Sequence, residues 1–202
     1  MRKMITVKIN GEERQYPQGA TYEDVTNDYQ QEYENLIALA ARDGKIRELF
    51  KKLTRDCEVT FFTLKDDVGN KTYVRSATML FLKAVFDVYG REAAQSCRVE
   101  FAIGNGSYIS PKEKINATEE NAAKIRNRMR ELVEAKTPFL KRSYSLDNAM
   151  ELFRKEGMKD KEKLFRYRRG SFVNIYEMDG YYDYYYGYML PNAGYVKWFD
   201  VI

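Results

Sequence analysis

The sequence predicts an α+β protein, because strand-like segments and amphipathic helices follow one another along its 202 residues. Residues 4–9 alternate polar and apolar side chains, which is typical of a half-buried strand. The pair Asn10–Gly11 follows directly and favours a tight hairpin turn. Farther along, Thr118 precedes a helix whose apolar residues recur every three or four positions. A hydrophobic content of 44% is enough to build a core.

The first 64 residues contain two strands, a helix and then more strands, an order that suggests a β-grasp fold. The second hairpin strand is expected to end at Tyr16–Pro17. Thr21 then caps a helix together with Asp24 three residues later. Further strands are predicted at 36–40, 45–49 and 57–62.

A polar, turn-rich segment at 65–70 predicts a linker, so a second domain is expected over 71–202. Its first helix is expected to begin at Arg75, and its later helices at the capping residues Thr118 and Ser145. The second domain is also expected to contain a strand at 99–103 followed by a glycine-rich turn, an extended segment after Pro138, and paired strands at 172–176 and 181–188.

The charge balance excludes some classes of protein. The net charge is +4, from 34 basic and 30 acidic residues, which suits a local anionic partner but not a dedicated nucleic-acid protein. Cys57 and Cys97 have no pair spacing and are expected to be free thiols in the reducing cytoplasm. No apolar run approaches the ~20 residues of a membrane span, so no membrane partner is expected.

Three motifs near the N-terminus carry a resemblance to a known module. They are the turn Ile9-Asn-Gly11, the helix entry Tyr16-Pro-x-Gly-x-Thr21, and the strand Asp43-Gly-Lys-Ile-Arg-Glu-Leu49. Together they resemble a TGS domain, the small ubiquitin-like module that precedes the editing domain in threonyl-tRNA synthetases. The resemblance implies a TGS-like β-grasp domain over residues 1–64.

Two later motifs resemble the editing domain of the same synthetases. Arg75-Ser-Ala-Thr-Met79 is similar to its His-x-x-x-His helix, and DYYYGYM at 183–189 is similar to its Cys-x-x-x-His motif. The resemblance implies that residues 71–202 form a degenerate editing-like domain. Its four metal-capable positions are occupied by Arg75, Met79, Tyr185 and Met189.

These replacements predict that the chain holds no metal and has no catalytic residues. The chain contains no histidine, the side chain that titrates nearest neutrality. Arginine stays protonated and cannot act as a base or a metal ligand. Met79, Tyr185 and Met189 are therefore expected in the core or a pocket wall. Arg75 is expected either to pack or to bind a phosphate or carboxylate.

A candidate ligand pocket follows from the same resemblance. Its members are Arg75, Gly104, Gly106, Tyr108, Lys161, Lys163, Asp183 and Tyr185. Asp183 matches an aspartate of the family's motif, and Lys161 or Lys163 falls near its pocket lysine. An ordinary hairpin turn is the competing interpretation of the two glycines. A residual hydrolase that uses Asp183 and one of the lysines is a third, weaker hypothesis.

Two basic segments leave alternatives open. Residues 159–169 hold six Lys or Arg in eleven positions, with Phe165 and Tyr167 between them. They predict either a surface that follows a phosphate backbone and stacks bases, or a strand whose aromatic residues point inward. The helix after Thr118 carries a further basic face, for which exposure to solvent is the default interpretation. Its members are Lys124, Arg126, Arg128 and Arg130.

One branch of the family is most similar. GMKDKEKLFRYRR at 157–169, VNIY at 173–176 and YGYMLPxxGY at 186–195 resemble the N-terminal region of bacterial uridine-kinase-like nucleoside kinases. The chain has no Gly-x-x-x-x-Gly-Lys-Ser/Thr loop. We therefore expect an engineered fragment of a longer protein, without cofactors of its own. ATP and magnesium would belong to the missing kinase domain.

Two functions compete on these grounds. The first is a non-catalytic accessory module that binds a nucleotide or RNA and regulates an attached kinase domain. The alternative is a freestanding tRNA- or RNA-binding module related to threonyl-tRNA synthetase.

Overall fold

The computed structural model describes residues 3–104, 106–111, 114–168 and 170–202. Asn105 of the glycine-rich turn and Arg169 of the basic segment therefore lie outside the described residues. The chain forms two compact units. The first unit consists of Met1–Ser76 and Gly187–Pro191, and the second of Ala77–Tyr186 and Asn192–Ile202. The predicted α+β class is confirmed, whereas the domain limits 1–64, 65–70 and 71–202 stay predictions.

The first unit contains a five-stranded mixed sheet. Its strands are β1 Met4–Ile9, β2 Glu12–Pro17, β3 Ile37–Arg42, β4 Lys45–Glu48 and β5 Cys57–Thr63. Their order is β2-β1-β5-β3-β4, with β1 and β5 parallel and the other neighbours antiparallel. Ile5, Val7 and Ile9 are buried while their neighbours are not, as the alternation predicted. Asn10 and Gly11 form the hairpin turn with φ values of 51° and 88°.

The helix of the first unit begins at the predicted cap. Helix α1 spans Tyr22–Tyr29, and a 3₁₀ helix, Gln30–Glu32, follows it. Thr21 Oγ accepts the Asp24 N–H at 3.1 Å, and the Asp24 carboxylate accepts the Thr21 N–H at 2.7 Å. This reciprocal pair satisfies two backbone donors that the helix itself cannot pair.

Helix α2, Asp67–Tyr89, begins eight residues before the expected start at Arg75. The predicted linker, 65–70, is therefore only partly a turn. The Asp66 carboxylate accepts the Thr63 N–H at 2.7 Å, and the Asp66 carbonyl accepts the Asn70 N–H at 2.8 Å. A Cβ at Gly69 would clash with the Thr63 carbonyl, so glycine allows the first turn to lie against the end of β5. The polar residues that suggested a loop thus start the helix.

The second unit combines helices with two small antiparallel sheets. Its elements are the later part of α2, α3 Arg91–Ser96, β6 Arg98–Ile103, β7 Gly106–Ser110, α4 Glu119–Glu134, β8 Leu140–Ser145, α5 Leu146–Lys155, α6 Lys159–Arg166, β9 Phe172–Met178, β10 Tyr181–Asp183 and a 3₁₀ helix, Ala193–Tyr195. One sheet has the order β10-β9-β8, and β6 with β7 forms a separate hairpin. Thr118 and Ser145 cap α4 and α5 as predicted. The last strand is shorter than expected, since β10 ends at Asp183.

Lys83 is a buried cation in the second unit. Its side chain is 3% exposed, and Nζ lies 2.7 Å from Asp87 Oδ1. Nζ also donates to the Asp179 carbonyl at 2.7 Å. Asp179, with a φ of 44°, lies in the predicted turn between β9 and β10. The lysine therefore fixes that turn to α2. Among the described residues, no helix is both long enough and apolar enough to cross a membrane.

Candidate functional site

Arg75, the first of the four replaced positions, binds the backbone of the first unit's C-terminal segment. Its Nη1 donates to the Tyr188 carbonyl at 2.6 Å, and its side chain is half-buried. A Cβ built on Gly187 would lie 2.6 Å from Arg75 Cζ, so only a residue without a side chain lets the guanidinium approach this backbone. Part of the charge predicted to bind an anion thus stabilises the protein's own chain.

Met189, the fourth replaced position, lies in the interior of the first unit with no exposed surface. Its backbone N–H donates to the buried carboxylate of Glu48 at 3.3 Å. The next N–H, that of Leu190, donates to Ser76 Oγ at 2.9 Å. Ser76 Oγ in turn donates to the Thr72 carbonyl one helical turn earlier, at 2.8 Å. A position that resembled a metal ligand therefore belongs to a segment fixed by α2 and β4.

The other two replaced positions belong to the second unit. Met79 has no exposed surface, and Tyr185 is half-buried. The Tyr185 ring packs edge-on against Tyr176, with the ring centroids 6.5 Å apart. Within the residues that the structure describes, no group of three or more His, Cys, Asp or Glu side chains could hold a metal ion.

Asp183 and Lys161, two members of the candidate pocket, form a closed ion pair. Lys161 Nζ lies 3.0 Å from Asp183 Oδ1, and Asp183 is buried. That oxygen also accepts the Tyr184 N–H at 2.7 Å, and the Tyr181 hydroxyl donates to Asp183 Oδ2 at 3.4 Å. The carboxylate is thus surrounded by its own donors, which suits a structural role better than a catalytic one.

The pKa values around this pair favour charged and unreactive forms. Burial lowers the pKa of Lys161, but attraction to Asp183 and Asp160 outweighs it and leaves the pKa raised. Burial, reinforced by the charge of Asp183, raises the pKa of the Tyr181 hydroxyl well above its usual value. Lysine therefore stays an ammonium and tyrosine stays neutral at physiological pH, so neither group is a ready base.

Lys163 and the glycine-rich turn lie elsewhere. Lys163 is exposed on α6, two residues from Lys161 and hence on a different face of the helix. Gly104 and Gly106 are exposed at the tip of the β6–β7 hairpin. Tyr108 is also exposed and stacks on Phe101, with the ring centroids 5.1 Å apart. Within the second unit, the structure therefore brings together Asp183 and Lys161 from the predicted set.

The two basic segments have different outcomes. Residues 159–166 form a helix, so the interpretation as a strand was wrong. Phe165 is buried, whereas Tyr167 is 84% exposed. On α4, the basic side chains are largely paired with acids, as expected for a solvated face. The pairs are Lys124 with Glu120, Arg126 with Glu119, and Arg128 with Asp87 and Glu131.

Sequence reasoning missed the groups that hold the C-terminal segment of the first unit. Glu48 and Ser76 both bind backbone N–H groups there, and Gly187 accommodates Arg75. One signal was available, because Gly187 is the sole glycine in a run of tyrosines and marks a close backbone approach. Glu48 carried no such signal, since a glutamate in a short strand ordinarily faces solvent.

Comparison with known proteins gives a consistent result. No family model matches the chain. It is 28% identical to the threonine–tRNA ligase of Thermotoga maritima over 204 residues, which cover 98% of this chain and 30% of that protein. The corresponding enzyme of Porphyromonas gingivalis strain W83 is 25% identical over 93% of this chain and 29% of its own length. That of Symbiobacterium thermophilum is 25% identical over 100% of this chain and 31% of its own.

The chain therefore spans about 30% of the length of the curated relatives it matches. Over nearly all of its residues, it is similar to one part of threonine–tRNA ligases.

Proposed function

We propose that this chain is a non-catalytic module that binds tRNA or a similar RNA and is related to one part of threonine–tRNA ligases. The observation that carries the proposal is the similarity over 98% of the chain to a protein named for its action on tRNA. The positions that resembled a metal site have meanwhile lost every metal-binding side chain. Such a combination favours retained binding without retained chemistry.

The sheet of the first unit supports a TGS-like domain. The order β2-β1-β5-β3-β4, with a parallel pair in the middle and a helix after the first hairpin, is the arrangement expected for a β-grasp fold. Both the Asn10–Gly11 turn and the Thr21 cap belong to the motifs that suggested this module. An editing-like origin of the second domain is part of the same proposal.

The absence of chemistry follows from the side chains at the replaced positions. Arg75 and Lys161 stay protonated, so neither is a base near neutral pH. Asp183 is already bound by Lys161 and by a backbone N–H, so deprotonating a water would mean breaking these contacts. Hydrolysis of an ester on a tRNA end is therefore not expected, and the residual-hydrolase hypothesis gains no support.

A role beside a nucleoside kinase is the second candidate. It depends on the string YGYMLP at 186–191 and its neighbours. The relatives reported above are threonine–tRNA ligases, so they favour the tRNA-related module over the kinase-related one. Part of the string is fixed within the first unit by Arg75 and Ser76, which gives its residues a structural reason to be there.

A direct binding measurement tests the proposal. Fluorescence anisotropy with labelled, deacylated threonine tRNA is expected to show binding that weakens as salt rises, because phosphate contacts release counterions. Uridine and ATP, tested by calorimetry, serve as the comparison for the kinase-related role. The proposal fails if no RNA binds at low salt, or if the chain deacylates mischarged threonine tRNA in a manner that depends on Asp183.

A further inference from the structure

We propose that one exposed surface of the second unit binds unpaired RNA, an inference that rests on the proposed function and assigns it a site. This surface, called here the α6 surface, consists of Lys159, Lys163, Arg166, Tyr167 and Phe172. All five residues are exposed. They combine phosphate-binding charge with ring faces that can stack on bases.

The helical spacing of α6 separates two faces. Phe165 is 1% exposed, and the residues three and four positions before it, Glu162 and Lys161, are only partly exposed. Lys159, Lys163 and Arg166 follow one another at spacings of four and three on the outward side. Three cations thus form one stripe, at intervals that a strand could not have placed on a single face.

The acids of this helix do not neutralise the stripe. Asp160 lies 3.5 Å from Lys161, and Glu162 pairs with Arg154 of α5 at 3.1 Å. Within the described part of the chain, no acidic side chain pairs with Lys159, Lys163 or Arg166. The basic face of α4 differs, because Lys124, Arg126 and Arg128 each have acidic partners there. Positive charge is therefore available to a ligand on α6 rather than on α4.

Two aromatic rings lie directly after this stripe. Tyr167 is 84% exposed and Phe172, the first residue of β9, is 66% exposed. Neither ring belongs to the nearby core, which uses Phe165 and Phe153 instead. Rings exposed beside cations suit a single strand, because its bases are free to stack. A duplex hides its base faces, so unpaired RNA should be the preferred ligand.

The connection after α6 is held by contacts of its own. Arg168 Nη1 donates to the Tyr184 hydroxyl at 2.9 Å, and the Arg168 guanidinium lies 5.1 Å from the centre of the Phe165 ring. Phe165 itself packs edge-on against Tyr184, with the ring centroids 4.7 Å apart. Arg168 is therefore a positioning residue, whereas Tyr167 beside it is left facing solvent.

Substitutions on the α6 surface test the inference by fluorescence anisotropy. The probes are a labelled single-stranded RNA of mixed sequence and the same RNA annealed to its complement. Tyr167→Ala and Phe172→Ala are each expected to weaken single-strand binding about tenfold, the usual effect of losing one stacking partner. Lys163→Gln with Arg166→Gln should flatten the salt dependence by roughly 0.7 per lost phosphate contact.

Matched controls come from the same chain. Trp198→Ala removes an aromatic side chain that is 61% exposed, close to the value for Phe172. Lys124→Gln removes a lysine that is paired with Glu120. Both variants should bind the single strand as the unchanged protein does, and thermal unfolding should show that all variants are folded.

The outcomes separate this inference from the proposed function. If the unchanged protein binds RNA and the α6 variants bind equally well, the site assignment is wrong and the proposed function stands. If the annealed RNA binds as tightly as the single strand, the stacking role of Tyr167 and Phe172 is overturned. If the protein binds no RNA at low salt, the proposed function fails, and the site assignment fails with it.

Discussion

The guanidinium of Arg75 and the backbone of Gly187 lie in direct contact, although 112 positions separate them in the sequence. A Cβ at Gly187 would lie 2.6 Å from Arg75 Cζ and 2.8 Å from both of its terminal nitrogens. Gly187 also has a φ of 134°, a conformation that side chains disfavour. Two independent reasons therefore require glycine at this position.

Gly187→Ala is expected to lower the free energy of unfolding by about 2 kcal/mol or more, because backbone strain and a clash with Arg75 act together. Chemical denaturation would measure the loss. Gly11→Ala is the matched control, since Gly11 has a φ of 88° but open space around it. Adding Arg75→Ala to Gly187→Ala should recover part of the loss. Equal costs for the two glycine variants would contradict the proposed contact.

Lys83→Met is expected to destabilise the protein by about 3 kcal/mol, because it leaves Asp87 partly buried without its lysine. Lys71→Met on the same helix is the control. Lys71 also pairs with an aspartate four residues away, Asp67, but both side chains are exposed, so its cost should stay below about 1 kcal/mol. Denaturant midpoints of the two variants would check this difference. Similar midpoints would show that Lys83 contributes no more than a surface lysine.

Cys97 is expected to react slowly with iodoacetamide, because burial raises the pKa of its thiol to about 11. Alkylation should accelerate throughout the range from pH 8 to pH 10, since the thiolate fraction is still growing there. A Cys57→Ser variant isolates the reaction of Cys97, and mass spectrometry measures it. A rate that levels off near pH 9 would indicate an unperturbed thiol.

The same shift affects stability at high pH. The neutral thiol is favoured in the folded state, so an unfolded chain releases this proton first as pH rises. The contribution of Cys97 is therefore fully present below its ordinary value of 9 and is lost between pH 9 and about 11. Cys97→Ser should be less sensitive to pH in that interval.

The purified protein is expected to hold no stoichiometric zinc, because Arg75, Met79, Tyr185 and Met189 replace the metal-capable set and the chain has no histidine. Elemental analysis by mass spectrometry after dialysis checks this expectation. One zinc per chain, lost when Met189 is changed to alanine, would show that a metal site has survived in another form.

Local signals predicted much of the fold. The Asn10–Gly11 turn and the Thr21 cap act over a few residues, so the sequence was sufficient to identify both. The segment 159–169 misled because its cations and aromatic residues alternate with the period of a strand. A helix forms instead, with Asp160 in its first turn and Arg166 in its last, the charges that its dipole favours.

The candidate site could be predicted only in part. A resemblance located Arg75 and Met189 along the chain, but their environments depend on contacts over more than a hundred residues. No periodicity reveals that the buried Glu48 accepts the Met189 N–H. The unneutralised stripe on α6 was equally hidden, because the sequence does not show which acids pair with which bases.

The return of Gly187–Pro191 to the first unit has a consequence for synthesis of the chain. Met189 and Leu190 have no exposed surface, and both of their N–H groups bind residues of the N-terminal part. A ribosome therefore releases the second unit's first 110 residues before the first unit can close. The N-terminal sheet is begun first and completed late, so a nascent chain stopped at Tyr186 should be more sensitive to protease in its first 76 residues than one that reaches Pro191.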